Sequence, residues 1–78
     1  MAKRINAKNI DEMFVLQVEG NTSTQTCRLL KFEGEGDWAT ATFADSYYPG
    51  GEWGQWKVTR YKSKWFSQRT QKRVTVIK

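Results

Sequence analysis

The chain has 78 residues, a net charge of +5, no histidine and one cysteine. That length supports one domain, 1–78, and not two cores, and a chain of this size buries only roughly 60% of its unfolded surface. An internal disulfide, a Cys–His nucleophile and a Cys/His zinc site are all excluded by composition.

The opening Met1-Ala2-Lys3-Arg4 has the basic start of a secretory signal, but no apolar stretch follows it. No run reaches membrane-spanning length, so an intracellular, reducing, cytoplasmic location without a membrane partner is expected. Residues 1–12 read as an arm or a short N-terminal helical turn over 6–12, with Asn6 or Asn9 as cap. Residues 13–78 read as strands throughout. The first, Met13–Val18, places Phe14, Leu16 and Val18 on one face. Glu19-Gly20-Asn21 makes a turn, and the Asn21-Thr22-Ser23 sequon belongs to it.

A second strand over 24–33 carries Cys27, Leu29, Leu30 and Phe32. The adjacent leucines break the alternation and predict a bulge near 29–30. Cys27 is expected to be a buried, inert thiol. The acidic turn Gly34-Glu35-Gly36-Asp37 leads to a third strand, 38–44. There Ala39, Ala41 and Phe43 face one way and Trp38, Thr40 and Thr42 the other. Glu33, Glu35 and Asp37 lack the ligand spacing of a calcium loop and read as a solvated hairpin. No metal is expected.

Residues 45–55 form the longest loop, with Tyr47, Tyr48 and Trp53 set among Pro49 and three glycines. So many aromatics in a loop predict either a stacking or docking surface or a plug for an open barrel end. A fourth strand over 56–66 would run roughly 36 Å at ~3.3 Å per residue, so it is expected to bend. Ser67–Lys72 is a polar turn, and 73–77 a short final strand. Phe14, Leu16, Val18, Leu30, Phe43, Val58, Val74 and Val76 are the expected core. Together the elements predict an all-β fold: a small five-stranded antiparallel, partly open barrel of the SH3-like or OB-like kind.

Charge is divided unevenly along this chain. Residues 1–55 carry five basic and eight acidic side chains; residues 56–78 carry eight basic and no acidic ones. A cationic stretch interleaved with aromatics can neutralise phosphates and offer flat faces to bases. Lys57, Arg60, Lys62, Lys64, Arg69, Lys72 and Arg73 are therefore the candidate phosphate contacts. Strand alternation places Arg60, Lys62 and Lys64 on one face as a ladder with steps of about 7 Å. Tyr47, Tyr48, Trp53, Trp56, Tyr61 and Trp65 are the candidates for stacking or docking. The competing structural reading is that lysines on an exposed edge strand block aggregation.

Catalysis has little to stand on without histidine or an activated serine, so neither catalytic residues nor a cofactor are expected. The sequence thus points to a non-catalytic nucleic-acid-binding protein, with single-stranded DNA or RNA as the favoured partner. The alternative is a regulator or inhibitor module, of the kind phages and mobile elements encode. It would dock its aromatic loop, or pair an edge strand, with a larger protein that has an acidic surface. A small-ligand binder using Tyr47, Tyr48 and Trp53 is a third reading.

Overall fold

The computed structural model describes residues 4–45 and 54–78. Among them, six antiparallel strands close into a barrel in simple up-and-down order: β1 (Met13–Val18), β2 (Gln25–Glu33), β3 (Thr40–Asp45), β4 (Gln55–Tyr61), β5 (Lys64–Ser67) and β6 (Arg73–Val76). A single 3-10 turn, Ala7–Asn9, precedes them. The Asn6 side chain caps it by accepting from the Lys8 N–H at 2.9 Å. The all-β barrel with one short helical turn is the fold the chain adopts.

The strand count rises from the expected five to six at one place. The expected fourth strand, 56–66, does not bend but reverses at Lys62-Ser63, where φ is +51° and +65°. Tyr61 and Lys64 pair directly across these two residues. Two left-handed residues between paired strands make the tight turn whose twist suits a hairpin. Its usual Asn-Gly signature is missing, so the sequence reads straight through it. Without the hairpin the barrel would stay partly open; with it, β6 returns to β1 through Leu16↔Val76 and Val18↔Val74. Each strand then has hydrogen-bonded neighbours on both sides. That leaves neither a whole edge strand for a partner to extend nor one for lysines to protect.

The interior is filled by Phe14, Leu16, Cys27, Leu29, Ala41, Phe43, Val58 and Val74, from every strand but β5, together with Ile5 from the segment before β1; β5 adds the partly buried Trp65. Phe14 and Phe43 meet edge to face at 5.6 Å, a favoured geometry for ring quadrupoles. Ala39 and Ala41 are both fully buried, and the Gly34 backbone comes so near Ala39 that a Cβ on Gly34 would lie 3.3 Å from the Ala39 Cα. The bulge predicted in β2 lies between Leu29 and Lys31. Leu29 faces inward in phase with Cys27, and Leu30, the bulged residue, is left half-buried, so Leu29 takes the core position expected of Leu30 and Phe32 returns to the inner side. Val18 and Val76 lie at the margin of the core, only partly buried.

Candidate nucleic-acid interface

Residues directly opposite one another across a ladder share a face. The registers therefore sort the basic and aromatic side chains into two sets. Trp56 is opposite Phe43, and Trp65 is opposite both Arg60 and Val74, so all three belong to the inner side. Trp56 packs on Phe43 at 5.8 Å and Trp65 on Phe32 at 6.1 Å. Both indoles are half-buried against the core, and Arg60 is half-buried beside Trp65.

Lys57, Thr59 and Tyr61 of β4, Lys64 and Phe66 of β5 and Arg73 of β6 form the outer set. Lys62 sits in the turn, not on a strand. The expected ladder of Arg60, Lys62 and Lys64 is therefore corrected: the hairpin reverses the chain between its members. In its place, Lys57, Lys64 and Arg73 share the outer face, with Lys62 at its tip. Arg69 and Lys72 are exposed in the 68–72 turn that follows β5. Tyr47, Tyr48 and Trp53 lie outside the described residues, and with them the question of plug or platform.

The outer face holds an aromatic cluster that sequence reasoning assigned only in part. Trp38 precedes β3 with φ +73°. Its N–H donates to the Arg60 carbonyl at 2.7 Å, while the Arg60 N–H donates to the Ala39 carbonyl at 2.9 Å. Two residues, Trp38 and Ala39, thus oppose one. This is a bulge whose left-handed first position normally belongs to glycine. The bulge aims the indole outward, 72% exposed, against the Tyr61 ring at 5.3 Å and 41°. Tyr61 is 41% exposed, and the Lys62 ammonium lies 5.4 Å from its centroid, within cation–π range.

The Asp37 carboxylate accepts from the Lys62 backbone N–H at 2.9 Å, which docks the acidic turn against the hairpin tip and fixes Trp38 beside Tyr61. Phe66, in register with Thr59 and Arg73, completes the cluster. Together these residues wall a groove of about 720 Å³ that runs to Gln68 and Gln71. No family model matches the chain, and neither does any curated protein or solved structure. The site must be read from its own chemistry.

The electrostatics are polarised across the groove. Lys57, Lys64 and Arg73 border it on the β4–β6 side, and Glu33, Glu35 and Asp37 lie beyond Trp38, all exposed. Lys31 and Glu33 pair at 3.1 Å between two well-exposed side chains, an ion pair worth little. Cys27 lies away from this face, in the core, where its thiol donates to the Asp45 carboxylate at 4.0 Å. Burial first, and the Asp45 charge second, push its pKa up from 9.0 to about 12; a hydrogen bond from Trp56 opposes them. Such a thiol is not a nucleophile near neutral pH. Among the described residues no three carboxylate or thiol groups gather as a metal would require. No helix among them is long and apolar enough to cross a membrane.

The signals that would have revealed Trp38 and Phe66 were weak. Trp38 follows Gly36-Asp37 and reads as the first residue of a strand, and nothing in the sequence marks a bulge there. Phe66 reads as in phase with Trp56 and Val58, and only the hairpin moves it to the outer face.

Proposed function

We propose that this protein is a small, non-catalytic nucleic-acid-binding barrel that holds an unpaired strand of DNA or RNA across the outer face of β3, β4 and β5. The observation that carries this reading is Trp38. A large aromatic occupies a left-handed bulge position, a conformation that disfavours any side chain, and holds its indole in solvent against Tyr61. Strain of this kind, of order 1–3 kcal/mol, persists where surrounding structure enforces it and is concentrated at functional sites. Trp38, Tyr61 and Phe66 provide faces for stacked bases, and Lys57, Lys62, Lys64 and Arg73 supply phosphate contacts.

Arg69 and Lys72 extend the cationic path into the next turn. The acidic turn on the far side of Trp38 repels phosphate and so orients the strand, with its backbone toward β5 and β6. Use of a strand face as platform is the manner of OB-like barrels. The regulator reading would dock a loop that lies outside the described residues, and the closed barrel offers it no edge strand to pair with.

Tryptophan fluorescence on titration with short single strands, the same sequences as duplex, and polyglutamate tests the reading. Quenching by single strands, weaker by duplex and absent with polyglutamate, is expected. Equal response to polyglutamate would mean an unselective cationic surface and sink the proposal.

A further inference from the structure

A stacking platform needs only flat faces and nearby cations, yet the open groove beside Trp38 is also chemically distinctive. None of the residues lining its 720 Å³ carries a charge. Trp38, Tyr61 and Phe66 supply apolar walls, and the 68–72 turn brings the amides of Gln68 and Gln71 to the opposite side. The Gln68 amide nitrogen donates to the Thr59 hydroxyl at 2.8 Å, which fixes that side chain and, among the described residues, leaves its carbonyl oxygen to accept from a ligand. Gln71 is held by its own N–H on the Ser67 carbonyl at 2.7 Å, with φ at +61°.

A phosphate finds no counter-charge in such a lining, and an aliphatic side chain makes no use of the amides. A planar heterocycle with polar edges satisfies both kinds of wall, while its phosphates reach the lysines and Arg73 at the rim. We infer that this cavity receives one unpaired nucleobase of the bound strand and that Gln68 and Gln71 read its edge. Bases with an exocyclic amino group are preferred, because its two N–H donors serve the two amide carbonyls. Thymine and uracil have no such group. The inference rests on the strand-binding reading above and adds base preference to it.

The test uses short abasic phosphodiester strands that carry one central adenine, cytosine, thymine or no base, titrated against the intact protein. Adenine and cytosine strands should bind roughly five- to a hundredfold tighter than the baseless strand, the range that base–aromatic stacking supplies. Thymine should fall between. Gln68→Ala combined with Gln71→Gly should erase the adenine–thymine difference and leave the salt dependence unchanged. The wild-type series alone decides the matter if that variant fails to fold. Equal binding of base-bearing and baseless strands, or tightest binding of thymine, overturns the base site but leaves strand binding intact. No binding of ordinary oligonucleotides overturns both.

Discussion

Trp38 and Cys27 make opposite claims on the same small molecule, one facing solvent under backbone strain and the other sealed in the core. If Trp38 is held for binding, Trp38→Gly should release the left-handed strain while removing an indole that is 72% exposed and stands against the Tyr61 ring. Its melting temperature should then stay within about 4 °C of the parent, equivalent to about 1 kcal/mol or less for a domain this size. Single-strand affinity should fall by about 1–3 kcal/mol, the worth of one stacked base. A Trp38 that braced the fold would instead cost about 3–5 kcal/mol of stability on truncation. For Cys27 the thiol is kept neutral in the folded state to about pH 12, whereas the unfolded chain ionises near 9.0. Between those values the unfolded state binds fewer protons than the native state, so stability falls as pH rises; below 9 the contribution is complete. Chemical denaturation of wild type and Cys27→Ala from pH 7 to 11 should show the extra alkaline loss only in wild type, with oligonucleotide binding at neutral pH unaffected. At this scale burial was legible: an isolated cysteine in an alternating apolar strand pointed inward. Exposure of Trp38 was not, because a left-handed tryptophan leaves no mark in a sequence where glycine would be the signal.

The element that reshapes the molecule is the β4–β5 hairpin. Its turn residues Lys62 and Ser63 both adopt positive φ, a conformation that disfavours side chains other than Asn, Asp and Gly. Ser63→Gly should therefore raise stability by about 1 kcal/mol, or about 4–8 °C in melting temperature, with binding unchanged. A lowered melting temperature on thermal denaturation would argue against this turn geometry. The same turn explains why one part of the site was legible and another was not. Alternation within each strand was readable, so Val58 was correctly placed inside, as were Phe14, Leu16 and Phe43. Across Lys62-Ser63 the phase is reset by chain reversal. Arg60 therefore turns toward Trp65 while Lys64 and Phe66 turn outward, and a ladder drawn through the segment cannot exist. The β2 bulge acted in the same way on a smaller scale. Its position was visible in Leu29-Leu30, but which leucine it would bury was not.

For the whole molecule, the decisive property is the separation of charge: −3 over residues 1–55 and +8 over 56–78. This asymmetry was fully legible, since it needs no geometry. Its use was legible only in part, because barrel closure decides which cations share a face with Trp38, Tyr61 and Phe66. Closure also removes the reading of these lysines as guards of an edge strand, which leaves a clustered like-charge surface whose repulsion a polyanion would relieve. The measurement that tests the central claim most directly is the salt dependence of single-strand binding, followed by tryptophan fluorescence, for wild type and for Lys62→Ala combined with Lys64→Ala. Affinity should fall linearly on a log–log plot with a slope of about −0.7 for each phosphate contacted, and the double variant should flatten that slope by about 1.4. A wild-type slope near zero, or a double variant that binds with the parent's slope, would contradict the account.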